Sequence, residues 1–531
     1  MKIHRIIIAA CFAVTTLLSA VHSTAAQEII DADILLKNGT IYDGSGKAAV
    51  QGDVAIRGDR IVAVGKFQVG AVNMQLDCTG LVIAPGFIDL HNHSDRQVIS
   101  PKTRGNVNYL MMGCTTVLTG NCGSGPVDVG EYYNKIDAAG AGTNVAHLLP
   151  QGALRNDVMA TADRAPTADE LQQMKQLAAK AMQDGAWGMS TGLIYVPSSY
   201  AKTDELIEIA KVIAKHNGIY ASHIRNENVQ LLAAVDEAMQ IGKQAGLPVH
   251  ISHFKSSGRD SWGLVRRAAE MIEKARQSGQ TVTADQYPYI ASSTSLDAIL
   301  IPTWARSGGR KKLIERFDDP ELSKRIRDAM AENLVKRNGG EAVRIASYSK
   351  RQDWVGKNLV QISTAEKITP LQLAEQISRN GGAAIVNFSM NEDDVRHIMQ
   401  IAWVATASDG GAKIPGPDRP HPRSYGTFSR KIGHYSLREK VLPLEQAIRS
   451  GSGLPADILG LKDRGYLKKG MFADILVFDP QEFIDTATFD NPHQYSLGAK
   501  YVFVNGQPAV FNGHPTGALA GKALKHKSNG K

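Results

Sequence analysis

One unit recurs through the middle of this chain and restricts its fold more than any other feature: an amphipathic helix, a glycine that stops it, then a short apolar strand. Thr167-Ala-Asp-Glu170 reads as a capping box, in which the two end side chains satisfy each other's backbone N–H groups. Leu171, Met174, Leu177, Ala178 and Ala181 then share one helical face, and Gly185 ends the helix before "AWGMSTG". The unit returns as helices over 204–216 and 230–244, stopped by Gly218 and Gly246 and followed by "IYASH" and "VHISH". It returns again as 264–277 with "VTADQYPY", 370–379 with "AAIVNF", and 393–401 with "VATASD". Parallel strands need helical crossovers of this kind, so alternation sustained through most of the 531 residues predicts an α/β fold built on a (β/α)8 TIM-like barrel. The stretch 301–356 breaks the rhythm with charged helices and is read as an inserted helical segment, a lid.

Both ends of the chain have a different grammar. "ADILLKNGTIYDGSG" and "GDVAIRGDRIVAVGK" are β-rich runs broken by Asn-Gly and Gly-Asp turns, and "GMFADILVFDP" and "YVFVNGQPAV" repeat the pattern near the other end. The two ends are expected to meet in one small β-sandwich domain. The expected divisions are 1–26 as a signal peptide, 27–83 and 458–531 as the two parts of the β domain with a tail, and 84–457 as the barrel.

The first residues carry Lys2 and Arg5, then an apolar run from Ile6 to Val21, then small residues up to Ala26: a secretory signal cleaved near Ala26. The run is shorter than the ~20 residues a membrane span needs, and Ile8–Cys11, which resembles a lipoprotein box, comes too early in it. The mature protein is expected in a periplasm or outside the cell, with no membrane segment. With 43% hydrophobic and 21% charged residues the composition is that of a soluble globular protein. The net charge of +8, two of it from Lys2 and Arg5, is scattered rather than gathered into a stripe, which argues against nucleic acid as a partner.

Cys11 leaves with the signal, so Cys78, Cys114 and Cys122 remain. A Cys78–Cys114 bridge is possible in an oxidising compartment, with Cys122 left over. At "VLTGNCG" Cys122 has four readings: half of a disulfide, a small buried apolar residue, a nucleophile or a metal ligand.

The polar residues decide among these readings. On a barrel of this type, chemistry collects where strands end, because that face carries the variable loops. "APGFIDLHNHSD" ends an apolar strand with His91 and His93, which alternate onto the same side. Cys122, His223, His253 and Asp409 each end a later strand. Imidazole, thiolate and carboxylate on one face are the donors of a Zn2+ site. Two competing motifs fail on context. Gly188-Met-Ser-Thr-Gly192 matches the G-x-S-x-G elbow but precedes no helix, and Ser347-Tyr-Ser-Lys350 lacks the companion motifs of S-x-x-K enzymes. A nucleophilic Cys122 would leave the histidine pairs unexplained.

"PGFIDLHNHSD", "TGNCG", "GAWGMSTGLIYVPSSYA", "YASHIRNE", "ISHFK", "DQYPYIASST", "ASDG" and "HPRSYGTFSRKIG", in that order from about Ala32 to Gly506, resemble the D-aminoacylases, or N-acyl-D-amino-acid deacylases, of the amidohydrolase superfamily. The resemblance implies a barrel of the metal-dependent hydrolase type with one tightly bound zinc on His223, His253 and Cys122. A second, weaker position would lie at His91, His93 and Asp409, bridged by Cys122 in place of the carboxylated lysine of other branches. It further implies hydrolysis of a linear amide to a carboxylate and a free D-amino acid, with Asp409 as general acid and base. Lys255 and Arg423 would receive the free carboxylate of a small N-acyl amino acid, with Tyr195, Tyr287 and Ser293 as hydrogen-bonding neighbours. Trp187 and Phe254 are expected near the pocket walls. D-specific dipeptidase or cyclic amide hydrolase activity on the same scaffold, and a non-catalytic periplasmic binding protein, are the competing functions. Chirality enters only through the resemblance, and nothing in the sequence sets the oligomeric state.

Overall fold

The computed structural model describes residues 29–527, so the signal segment 1–26 lies outside the described residues. Eight parallel strand positions form the barrel: Phe87–Asp89, Cys114–Thr119, Asn144–His147 continued by Leu149–Pro150, Gly188–Gly192, Ile219–His223, Val249–Ile251, Val282–Gln286 and Val404–Thr406. Neighbours pair in parallel along the series. The ring closes where the last strand returns to the first, through a parallel bridge between Asn92 and Gly410 and the bond from Asp409 N to His91 O at 2.8 Å. Closure at that point brings the HxH turn and the "SDG" turn side by side.

The crossover helices form for the reasons the sequence gives. Ala168–Gln183 starts on the Thr167/Glu170 capping box and buries Met174, Ala178, Ala181 and Met182. Leu231–Ala245 ends at Gly246, whose φ of 76° is the left-handed turn that glycine adopts without strain. Shaving a fully buried contact such as Leu206 or Ile241 to alanine would cost about 2–5 kcal/mol.

The chain ends meet in one β domain. Val82–Pro85 pairs with Ile475–Phe478, joining strands of both ends into a nine-stranded sheet. The sheet curls until Arg60 bridges Phe472, enclosing a core of Leu36, Val54, Ile83, Ile475 and Phe503. The expected sandwich is thus hydrogen-bonded as a single continuous sheet. After Pro515 the chain runs across the start of the barrel strands, where Val145 exchanges bonds with Lys522 O and Leu524 N.

Three expectations change. The inserted unit is longer than 301–356. Ala291–Ser295, Ala384–Phe388 and Val343–Ser347 form their own antiparallel sheet over a separate core that includes Leu296, Ile326, Leu373 and Ile385. It therefore takes in Pro370–Arg379 and "AAIVNF", because a short apolar run after a Gly stop reads the same in either sheet. Trp187 stands at the start of its strand, away from the ligand ends, and donates its indole N–H to Leu524 O at 2.6 Å. Phe254 is buried in the main core near Trp403, so neither residue walls the pocket. Finally, Cys78 and Cys114 are free thiols in two different cores, the first in the β domain and the second in the barrel. Burial pushes the Cys78 thiol up to about 12, as expected of an inert apolar cysteine.

Candidate metal centre and its pocket

The "TGNCG" turn is built to present a sulfur. Gly120 has φ 77°, and a Cβ there would lie 2.1 Å from Leu148 O, so only glycine fits. Ser190 accepts from Gly123 N at 3.0 Å and donates to Gly120 O, tying the turn to the next strand. That is the work of the serine in the rejected G-x-S-x-G match. Cys122 (φ 52°), His253 (φ 37°) and Asp409 (φ 50°) all hold left-handed backbones. Strain of this kind in non-glycine residues gathers at functional sites, where the surroundings enforce it.

Cys122 Sγ lies 3.3 Å from His91 Nε2, 3.6 Å from His223 Nδ1 and 3.7 Å from His253 Nε2. His223 Nδ1 and His253 Nε2 are themselves 2.8 Å apart. Asp409 Oδ1 lies 3.1 Å from His93 Nε2 and 3.6 Å from His91 Nε2. Three overlapping triads result, His91/His93/Cys122, Cys122/His223/His253 and His91/His253/Asp409, each with donor atoms within 4.8 Å of one another. Donor separations near 3.5 Å are about the edges of a tetrahedron with Zn–N and Zn–S bonds of ~2.0–2.3 Å. The donor set therefore fits Zn2+.

The charges agree with that fit. Burial opposes the Cys122 thiolate, yet the His91 charge and the bonds from His223, His253 and His91 outweigh it and hold the thiol well below its ordinary range. Burial likewise opposes the Asp409 anion, and Arg423, His253, His91 and His93 together keep it well below the usual carboxylate range.

Two carboxylates behind the triads orient the imidazoles, and sequence reading assigned neither. Asp285 accepts from His253 N at 2.8 Å and from His250 Nε2 at 2.8 Å, and sits 3.5 Å from His91 Nδ1. Glu227 faces His253 Nδ1 at 2.9 Å and takes a bond from Lys255 Nζ at 2.5 Å. Carboxylate-to-imidazole contacts of this kind fix which nitrogen is free to bind metal. The available signals were an acid four residues past His223 and an acid near the end of "VTADQ".

The six expected metal-site residues and the five expected substrate contacts come together, whereas Trp187 and Phe254 do not join them. Two cavities, of about 480 and about 810 Å3, share Tyr195, Ser293, Thr294 and Asp409. Lys255 and Tyr287 line the smaller one, Arg423 lines the larger, and Arg423 also stacks 4.7 Å from the Tyr287 ring centre. The buried Tyr287 hydroxyl interacts with the Arg423 guanidinium, while Tyr195 shares a 3.0 Å bond with Thr294 and packs its ring on His223. Ser293 offers its carbonyl to Arg423 at 3.3 Å.

Residues 75–510 match the family model described as Amidohydrolase family. The chain is 35% identical to a D-aminoacylase of Alcaligenes xylosoxydans xylosoxydans, over 93% of this chain and 97% of that one. It is 32% identical to an N-acyl-D-glutamate deacylase of the same organism, over 94% and 97%. Its fold matches the crystal structure of N-acyl-D-glutamate deacylase from Bordetella bronchiseptica, complexed with zinc and a phosphonate mimic of the tetrahedral intermediate, with a TM-score of 0.79, 31% identity and coverage of 93% and 100%. With a closed barrel, ligands at its strand ends and likeness along nearly its whole length, the chain belongs to the amidohydrolase family and, within it, to the D-aminoacylase group.

Proposed function

We propose that this protein hydrolyses the amide of N-acyl-D-amino acids, with zinc held by Cys122, His223 and His253 and a second, weaker position framed by His91, His93 and Asp409. The convergence of Cys122 Sγ, His223 Nδ1 and His253 Nε2 beside a carboxylate that opens on both cavities carries the reading. When bound, zinc supplies a water of pKa near ~7 in place of ~15.7 and a Lewis acid for the amide oxygen. Asp409 is placed to take the proton from the attacking water at Oδ1, the oxygen turned toward the ligand cluster, and to deliver it to the leaving amine. Arg423, held on Oδ2 at 2.7 Å, keeps that carboxylate turned inward. Lys255 and Arg423 supply the positive charge that a free α-carboxylate needs, and the Tyr287 hydroxyl next to Arg423 adds a donor beside them.

Support for the D enantiomer comes from the relatives, whose names specify D-amino acids. Zinc-loaded protein is expected to release free amine from N-acetyl-D-methionine, in a chelator-sensitive way, and to leave N-acetyl-L-methionine intact. Equal turnover of both enantiomers, or of neither, would sink the reading. The export signal read in 1–26 supports action outside the cytoplasm, and a mature N-terminus just after Ala26 is the expected product.

A further inference from the structure

The two carboxylates behind the ligand cluster divide its two metal positions between them. Glu227 serves the tight one: it meets His253 Nδ1 at 2.9 Å and lies 3.9 Å from His223 Nε2. Asp285 serves the weaker one, with Oδ2 lying 3.5 Å from His91 Nδ1, while the opposite ring nitrogen, His91 Nε2, faces Cys122 Sγ and Asp409 Oδ1. The place of that one carboxylate oxygen therefore decides how the His91 ring is turned.

What fixes that oxygen is His250. Asp285 is fully buried, so its charge must be met by donors from the protein. Oδ1 accepts from His253 N at 2.8 Å, and the short bond to Oδ2 comes from His250 Nε2 at 2.8 Å. Strand register explains why a histidine reaches it. His250 lies opposite Thr283 where Val249–Ile251 pairs in parallel with Val282–Gln286, and Thr283 and Asp285, two residues apart, share a face of their strand. The His250 ring spans both, with Nδ1 2.8 Å from Thr283 Oγ1. In the neutral ring Nε2–H donates to the carboxylate and Nδ1 accepts from the threonine hydroxyl, so the ring cannot turn without breaking a bond. His250 is 3% exposed and belongs to none of the three ligand triads.

Resting on the two-position metal reading, and not on which amide is cleaved, we infer that His250 is a positioning residue for the weaker metal position. Through Asp285 it holds His91 with Nε2 turned to the ligand cluster. Losing it frees the Asp285 carboxylate to shift and the His91 ring to turn, which lowers the affinity of the position framed by His91, His93 and Asp409. The tight position keeps its own support, because Glu227 orients the His253 ring and Asp285 reaches His253 only at its backbone N–H.

The test titrates Zn2+ into protein that already carries one zinc per chain and reads the affinity of the second ion by calorimetry. His250→Leu is expected to weaken that ion about tenfold, the lower end of the loss for residues behind a ligand, while retention of the first zinc against a chelator changes by less than about twofold. His250→Gln, whose side-chain amide presents an N–H near the place of Nε2, should recover most of the loss. Asp285→Asn should also weaken the second ion, and adding His250→Leu to it should change little more, since residues that act through one contact are not additive. Thr283→Val removes the bond at the other ring nitrogen and is expected to give a smaller loss with the same selectivity, which carries the test if His250→Leu does not fold. An unchanged second affinity, equal loss at both positions, or additive losses in the double variant would overturn the inference, as would a parent that takes up no second ion. A parent that holds no zinc at all would end the metal reading itself, and cleavage of N-acetyl-D-methionine by the one-zinc parent reports on the deacylase reading separately.

Discussion

Arg423 donates from Nη1 to Asp409 Oδ2 at 2.7 Å, while Oδ1 of the same carboxylate faces His93 at 3.1 Å. The two oxygens are divided between a fixed cation and the ligand cluster. The family resemblance gave Arg423 a substrate-binding role alone. The ion pair adds a second role, because the same guanidinium aims the proton-transferring group. Arg423→Ala is therefore expected to raise KM and also to lower kcat by about 10–100-fold, since misplacing a catalytic group by ~1 Å can cost 10²-fold. Steady-state kinetics on N-acetyl-D-methionine separate the two parameters, and an unchanged kcat would remove the positioning role.

Asp409→Asn preserves shape and removes the base. The triad Cys122/His223/His253 does not include Asp409, so the tightly bound zinc should stay. Loss of a positioned proton-transfer group costs on the order of 10²–10⁴ in rate. Metal counted per chain together with kcat checks both halves; activity within tenfold of the parent would end the assignment of Asp409 as acid and base.

Cys122 is the atom shared by the two triads His91/His93/Cys122 and Cys122/His223/His253. Cys122→Ala should abolish turnover and weaken zinc affinity by more than about 100-fold, beyond the loss expected for an outer residue that only orients a ligand. Cys78→Ala and Cys114→Ala, in cores away from the donors, should keep zinc. Full zinc content in Cys122→Ala would refute the thiolate ligand.

The candidate donors were legible in the sequence because each closes an apolar strand, and a parallel barrel puts all such ends on one face. His223, His253 and Cys122 needed only that rule. Asp285 and Glu227 escaped it, since their roles depend on which imidazole nitrogen they meet, a property of neighbouring strands and loops rather than of spacing along one. The insertion was found but cut short: "AAIVNF" obeys barrel grammar while pairing antiparallel with Ala291–Ser295. Trp187 was misplaced because it begins its strand, where the tail and not the pocket meets the barrel.

Lys431 offers a prediction about stability that is independent of the metal. It lies in the wide helix Arg430–Arg438, is 2% exposed, and its Nζ has no partner among the described residues. Burial alone lowers its pKa from 10.5 to about 7. Between those two values the unfolded chain holds a proton that the folded protein has released, so stability rises with pH across the window. Below about pH 7 both states are protonated and the folded state carries the full cost of an unpaired buried charge. A shift of this size corresponds to roughly 3–5 kcal/mol at 1.36 kcal/mol per unit. Lys431→Met, similar in length and apolar, is therefore expected to melt higher than the parent at pH 7, with the gap narrowing steadily toward pH 10. Paired melting curves at the two pH values read the effect, and a gap that is constant or widens with pH would show that Lys431 is charged in the folded state at neutral pH and balanced by its surroundings.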